Sequence, residues 1–130
     1  MSGAGDALQA AAVETLAAIE GIGRVYDAPP LQAAIPHALV TIDSESDWGH
    51  KSGEGREVRL AAAIRDKGER PLRLRRLAGE AEAALSALSP AMESWRVVTM
   101  RLVRRRVVAV PREGWAAVIE FRARLLRDEG

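Results

Sequence analysis

The sequence contains no cysteine and few aromatic residues: three tryptophans, one tyrosine and one phenylalanine among 130 residues. Without cysteine, disulfide bonds and thiolate metal sites are excluded. Because alanine and valine supply much of the 48% hydrophobic fraction, the core is expected to consist mainly of small aliphatic side chains. Such side chains bury less apolar area per residue than aromatic ones, so the composition favours additional burial between subunits.

Long apolar runs are also missing. No stretch approaches the roughly 20 residues that a helix needs to cross a bilayer, and residues 1–6 lack the basic-then-apolar pattern of a signal peptide. A chain of 130 residues is long enough to build one domain around a single core. We therefore expect one domain, residues 1–130, that is made in the cytoplasm and does not bind a membrane.

Charge is distributed unevenly along the chain, although the net charge is only +1. Residues 1–65 contain 5 basic and 9 acidic side chains, a net charge of −4, whereas residues 66–130 contain 14 and 9, a net charge of +5. Three explanations stay open at this point. The basic half binds nucleic acid, or oppositely charged surfaces of two copies associate, or the two halves neutralise each other within one fold.

The clearest signal of secondary structure lies in the centre of the chain. Val58, Leu60, Ala62 and Ile64 alternate with polar or small residues, which is the pattern of a strand with one buried face. The β-branched run at residues 39–42 is expected to pair with this strand in an antiparallel hairpin. The residues between them, 44–56, are polar and rich in glycine, and we expect them to form a flexible loop.

Two amphipathic helices are expected on either side of this hairpin. Asp6 is the expected N-cap of the first, with Gln9 at the capping-box position. Pro71 is placed to begin the second, and residues 89–90 to end it. With a short extended piece at residues 24–27 and two C-terminal strands, the order is α, β, β, β, α, β, β. This order predicts an α+β fold, a single domain in which a mostly antiparallel β-sheet packs with two α-helices.

The C-terminal region is predicted to form a second hairpin, with strands at residues 95–110 and 115–126 and a turn at residues 111–114. Apolar and polar residues alternate regularly in the second of these strands. In the first strand the alternation fails at Arg104, and either a β-bulge or a strand that leaves the sheet edge near Val103 would restore it.

The sequence gives little support for a metal site or a catalytic site. Asp43, Glu45, Asp47 and His50 are possible ligands, but their spacing does not fit a calcium-binding loop. A solvated acidic segment is the better interpretation. His37 has no cysteine and no serine in an elbow motif to activate, so it is interpreted as structural. The sequence therefore predicts no enzyme activity, no cofactor and no metal.

The glycines of the central loop do not form a phosphate-binding loop. A P-loop needs a lysine directly after its second glycine and a following helix, whereas here a strand follows. We interpret the segment as an arm with Trp48 as an apolar anchor for a partner, because tryptophan is enriched at interface hot spots. Trp48 folded back on the sheet is the alternative.

Arg104, Arg105 and Arg106, with Arg101 and Arg112 nearby, form the densest positive charge in the chain. Phosphate binding at a hairpin tip is one possibility. Consecutive strand residues point to opposite faces, however, so the three cannot form one patch in a regular strand. The aromatic platform of single-strand binders is also missing.

Several short motifs occur in a fixed order along the chain. They are VYDAPP at residues 25–30, IPHALVTI at 35–42, DWG at 47–49, GRE at 55–57 and FRAR at 121–124. In this order they resemble the tail-completion, or tail-terminator, proteins of long-tailed phages, in particular those of gene transfer agents and related prophages. The sequence departs from the family's pattern at residues 65–70, before the second helix.

The resemblance implies a non-catalytic α+β subunit that forms a homohexameric ring on the finished tail tube. Such a ring stops tube growth and contacts the tail tube protein on one side and the neck, or head-tail stopper, protein on the other. It implies a location in the tail-neck region of a virion or gene transfer agent particle, with DNA passing through the lumen without specific binding. The alternative is a small nucleic-acid-binding accessory domain that uses the basic C-terminal hairpin.

Within this interpretation, charged residues of the central loop and the C-terminal hairpin, together with one tryptophan, are the candidates for subunit or partner contacts. They are Asp47, Trp48, Lys51, Arg56, Arg104, Arg105, Arg106 and Arg112.

Overall fold

The computed structural model describes residues 3–51, 53–88, 91–92 and 94–128. Its elements, in chain order, are α1 (Ala4–Ala17), β1 (Arg24–Tyr26), β2 (His37–Asp47), β3 (Gly55–Asp66), α2 (Leu72–Ser86), β4 (Ala91–Met92), β5 (Trp95–Val110) and β6 (Gly114–Arg127). The predicted order of helices and longer strands is confirmed, and the two-residue strand β4 is an addition that the sequence pattern did not indicate.

The strands form one six-stranded sheet in the order β1-β2-β3-β6-β5-β4. β1 is parallel to β2, and every other neighbouring pair is antiparallel. The central strands β3 and β6 connect the two predicted hairpins, β2-β3 and β5-β6. The predicted α+β fold with a mostly antiparallel sheet and two helices is therefore confirmed.

Both helices pack on one face of the sheet, which we call the helical face. All four apolar residues that alternate along β3, from Val58 to Ile64, are at most 1% exposed. On β6 the alternating residues from Ala117 to Leu125 are likewise fully buried. They meet leucines of both helices in a single cluster, with Phe121 as its largest fully buried side chain. The opposite face of the sheet carries no described helix, and we call it the open face.

The predicted start of α1 is wrong by three residues. The helix begins at Ala4 and the N-cap position is Gly3, which makes no side-chain cap, while the Gly5 amide of the first turn donates to Glu45 of β2 over 2.9 Å. Asp6 lies inside the first turn instead. The Gln9 amide is used for tertiary contact, since its Nε2 donates to the carbonyl oxygens of Val40 (2.9 Å) and Asp27 (3.2 Å). Packing on β2 therefore decides where the helix starts. For α2, Pro71 occupies the N-cap position as predicted, while the predicted end at residues 89–90 lies outside the described residues.

The loop predicted at residues 44–56 is shorter in the structure, because strands extend into it from both ends. β2 continues to Asp47 and β3 begins at Gly55, with Asp47 paired to Arg56. The connection is reduced to residues 48–54, and the Trp48 amide donates to the Gly55 carbonyl over 2.9 Å. Backbone pairing overrides the polar composition here because an exposed strand end needs no apolar side chains. Gly55 allows the close approach, since a Cβ there would lie 2.4 Å from the Trp48 carbonyl oxygen.

β5 is irregular where the sequence pattern fails. Its register with β6 shifts between Leu102 and Arg104, which confirms the bulge predicted near Val103. A second shift, between Val97 and Thr99, was not predicted. The strand is also unusually exposed, because every residue from Arg101 to Arg106 has an exposed side chain. This exposed stretch lies between Met100 and Val107, which both pack against the core.

Candidate assembly surface

Arginines from three neighbouring strands lie side by side on the open face. Arg59 of β3 is paired with Arg122 of β6, which is paired with Arg101 of β5. Like charges directly opposite on one face of a sheet are unfavourable unless acidic groups lie close by. The open face is thus a basic surface that requires anionic partners, from this chain or from another.

Two glutamates of the same face supply part of that compensation. Glu57 accepts a hydrogen bond from Arg124 Nε (3.0 Å) and lies 3.9 Å from Arg122. Glu120 accepts a hydrogen bond from Arg104, and this bond lowers the pKa of the Glu120 carboxyl below its ordinary value. Arg101 has no ion pair in the described part of the chain. Compensation of the arginine row is therefore incomplete within one subunit.

The three consecutive arginines are divided between the two faces. Arg104 pairs with Glu120 on the open face, whereas Arg105 reaches across to Glu82 of α2 over 3.2 Å on the helical face. This division confirms that the run does not form one phosphate-binding patch. It also leaves less free positive charge on the hairpin than the sequence indicated.

The central loop residues cluster at one end of the sheet. The Trp48 ring lies 5.4 Å from the Arg124 guanidinium and 4.7 Å from the His50 ring. Trp48 is half-buried, so the folded-back alternative describes its position. Lys51 is exposed in the same loop, and Arg56 donates to Glu45 Oε2 over 2.9 Å.

The eight candidate residues do not form a single site. Asp47, Trp48, Lys51 and Arg56 lie at the end of the sheet where β2 meets β3. Arg112 lies in the β5-β6 turn at the opposite end, with a φ of 68°. The arginines of β5 lie between the two ends. The candidates therefore mark three separate regions of the surface, and their partner contacts stay a prediction.

The residues considered as metal ligands and catalytic groups have other neighbours. The Thr41 hydroxyl donates to Asp43 over 3.0 Å, and Glu45 contacts Arg56 and the Gly5 amide. Over residues 3–51, 53–88, 91–92 and 94–128, no three histidine or carboxylate side chains come together as a possible metal site. His37 lies edge-on to Tyr26 at 5.7 Å. None of the described helices is both long and apolar enough to span a bilayer.

A buried carboxylate at the end of β3 was missed by the sequence interpretation, which treated its surroundings as a charged turn. Asp66 is only 2% exposed. It accepts hydrogen bonds from Arg73 Nε (2.8 Å) and Nη2 (2.5 Å) and from the Lys67 amide (2.8 Å). The Arg73 hydrogen bonds, helped by the Lys67 amide, lower the pKa of Asp66, although burial opposes that shift. This contact ties the sheet to the first turn of α2.

Replacing Asp66 with asparagine is expected to reduce the free energy of unfolding at pH 7 by about 1–3 kcal/mol, the range for lost hydrogen bonds to a buried charged group. Because the folded pKa is lowered, the carboxylate stabilises the fold fully above its unfolded pKa of about 3.9 and loses this effect as pH falls through the folded value. The difference between wild type and Asp66→Asn should therefore shrink on acidification. Urea unfolding at pH 7 and pH 3 measures it, with the exposed Glu69→Gln as the control from the same turn.

Comparison with known proteins identifies the family of this chain. A sequence model of the family described as tail completion protein gp17 matches residues 6–126. The chain belongs to this family. No curated protein matches the sequence. A chain in a solved structure described as "Virion of native gene transfer agent (GTA) particle" matches with a TM-score of 0.66 and 24% identity, covering 96% of this chain and 99% of that chain. At this identity the likeness supports the fold.

Membership of the gp17 family confirms the resemblance stated from the sequence motifs. It identifies this tail completion protein as a structural component of a phage-type tail. The open face, the two ends of the sheet and the exposed strand β5 are accordingly the surfaces on which contacts with other tail components have to be sought.

Proposed function

We propose that this tail completion protein forms a homohexameric ring on the end of the finished tail tube, stops tube growth and joins the tail to the head-neck connector. One ring face contacts the tail tube protein and the other contacts the head-tail stopper. The protein acts without catalysis, in the tail-neck region of a virion or gene transfer agent particle. The family match over residues 6–126 carries this proposal.

The exposed surface of the subunit is compatible with a ring. A ring that closes by rotation needs two different complementary surfaces on each subunit. The two halves of the sequence have net charges of −4 and +5, which is the charge asymmetry that two complementary surfaces would use. The similar fold of a chain in a gene transfer agent particle supports assembly of this protein with other proteins of such a particle.

The same surface argues against nucleic-acid binding as the primary function. Arg104 and Arg105 are each engaged by a glutamate of the same chain, which reduces the charge available to phosphates. We propose that DNA passes through the ring lumen without specific binding. A mobility-shift titration at physiological salt is expected to show no tight binding, whereas tight binding with a steep salt dependence would favour the accessory-domain alternative.

Deletion of the gene in the producing bacterium tests the proposed function. Without a cap, tube polymerisation has no stop signal, and without a joining surface the tails have no attachment to the heads. Electron microscopy of the particles should therefore show tails of irregular length and filled heads that lack tails. Expression of the wild-type gene from a plasmid should restore normal particles.

The proposal fails if particles without the protein carry tails of normal length attached to filled heads. A deletion phenotype confined to empty heads would likewise contradict it, because DNA packaging precedes the step at which a tail ring acts in this scheme.

A further inference from the structure

The sheet has two free edges on opposite sides of the molecule. β1 covers the outer edge of β2 only along His37–Leu39, and β4 covers β5 only at Trp95 and Arg96. The Gln9 side chain donates a hydrogen bond to the Val40 carbonyl oxygen, so this acceptor of β2 is also used. Within the described residues, no strand pairs with the outer side of residues 41–47 of β2 or of residues 97–110 of β5. Unpaired strand edges are templates for pairing with another chain.

The two free segments lie at the same height on the sheet. Strand pairing links Thr41 of β2 through Ala61 and Glu120 to Arg104 of β5. At the other end, Asp47 is linked through Arg56 and Leu125 to Val97 in the same way. Each such chain of paired residues forms a row across the sheet. Residues 41–47 therefore lie in the same rows as residues 97–104. Since β2 and β5 run in opposite directions, copies related by rotation about the strand direction would bring these segments together as antiparallel neighbours.

The regular parts of the two segments overlap in three rows, residues 44–46 of β2 with residues 99–101 of β5. On β2 the register is regular from Ser44 to Asp47, after a shift at Ile42/Ser44. On β5 it is regular from Thr99 to Leu102, between the two bulges. The row of Ser44 is the row of Arg101. A continuous ladder between neighbouring copies is thus available where neither strand is bulged.

The two segments carry opposite charge, and on the open face the acidic side chain at the level of Arg101 and Arg104 is Asp43, because Glu45 and Asp47 lie in rows of the helical face. Residues 41–47, which we call the acidic edge, contain Asp43, Glu45 and Asp47 and no basic residue, whereas residues 97–104, the basic edge, contain Arg101 and Arg104 and no acidic residue. Asp43 bonds to Thr41 and lies between the rows of Arg101 and Arg104. Leu102 and Val103, 42% and 46% exposed, would gain apolar burial in such a contact.

We propose that the acidic edge of one subunit pairs antiparallel with the basic edge of the next, so that neighbouring sheets join around the ring. The occupant of each edge is therefore a second copy of this chain. Pairing of two basic edges would place like charges opposite each other, which disfavours that arrangement. The inference rests on the proposed ring and specifies which strands form its subunit interface.

A charge swap between two versions of the chain tests this interface. In Arg101→Glu the new glutamate on the basic edge would face Asp43 on the acidic edge of the next copy. In Asp43→Arg the new arginine would face Arg101 of the next copy. Each variant expressed alone in the deletion strain should lower the fraction of heads with tails at least tenfold. When both are co-expressed, alternating copies have opposite charges at every contact, so the fraction should return to within about threefold of wild type.

The controls separate folding, interface and function. Arg101→Glu places a glutamate beside Arg122 and should not destabilise the subunit, which thermal unfolding of the purified variant checks. Arg75→Glu makes the same charge change on the exposed side of α2 and should leave head attachment unchanged. Normal particles with each single variant, or loss without recovery on co-expression, overturn the interface while leaving the proposed function intact. The proposed function itself is tested by the deletion strain, and normal tails on filled heads or a phenotype confined to empty heads would remove it.

Discussion

Replacement of Phe121 with alanine is expected to lower the free energy of unfolding by about 3–5 kcal/mol, the range measured for truncating a buried phenylalanine. Phe121 is 0% exposed on the central strand β6, with Leu60 opposite on β3 and Leu102 opposite on β5. Phe121 is the one phenylalanine of the sequence and the largest fully buried side chain of a core made largely of alanine, valine, isoleucine and leucine, so its truncation leaves a large cavity. Urea unfolding followed by circular dichroism measures the loss.

The consequence is severe because a domain of this size is stable by only about 5–15 kcal/mol. A fall in melting temperature of about 10–20 °C is expected. Leu31→Ala is the matched control, because Leu31 is fully exposed and its truncation removes no buried contact. If Phe121→Ala costs less than about 1.5 kcal/mol, the helices have collapsed into the cavity and the core is more adaptable than its close packing implies.

The sequence predicted the fold wherever one residue pattern had one physical explanation. The alternation from Val58 to Ile64 and along β6 predicts one buried face for each of these strands, and the apolar residues of both strands are buried as expected. The alternation of apolar and polar residues fails at Arg104, and the β-bulge that would restore it lies between Leu102 and Arg104. Period and bulge are local properties of a strand, so they can be inferred without knowing its neighbours.

Sequence reasoning failed where tertiary pairing decided the structure. Residues 44–47 are polar, yet pairing with β3 makes them a strand. Asp6 fits a helix cap, yet the sheet contact of Gln9 accompanies a helix that starts earlier. The Asp66–Arg73 pair joins a strand end to a helix, and nothing in the sequence distinguishes it from the other charges of that turn.

The candidate site illustrates the same limit. The opposite signs of the two halves of the chain could be counted from the sequence, but Ser44 and Arg101 share a row only because three strand pairings connect them. No spacing rule contains that register. Arg104 and Arg105 are adjacent in the sequence, but the partner of Arg105, Glu82, lies on the helical face, whereas Arg104 contacts Glu120 on the open face. Charge patterns therefore predict that complementary surfaces exist, whereas the sheet determines which residues form them.

Replacement of Gly114 with alanine is expected to lower the free energy of unfolding by about 2–5 kcal/mol, combining left-handed backbone strain of about 1–2 kcal/mol with overpacking of about 1–3 kcal/mol. Gly114 begins β6 with a φ of 106°, and an added Cβ would lie 2.2 Å from the Asp66 carbonyl oxygen and 3.0 Å from the Lys67 Cα. Because those atoms belong to backbone, a side-chain rotation cannot relieve the collision. Urea unfolding at neutral pH measures the change.

Gly68→Ala separates the two contributions, since Gly68 has a φ of 124° but its nearest neighbour, the Arg70 carbonyl oxygen, would lie 3.6 Å from a new Cβ. It should show the backbone strain alone. The excess cost of Gly114→Ala should arise from displacing Asp66, whose carboxylate holds Arg73. The effects of Gly114→Ala and Asp66→Asn should then be less than additive in the double variant, because both weaken the same contact between β3 and α2. Strict additivity, or equal costs for the two glycine variants, would show that the β5-β6 turn yields without moving β3.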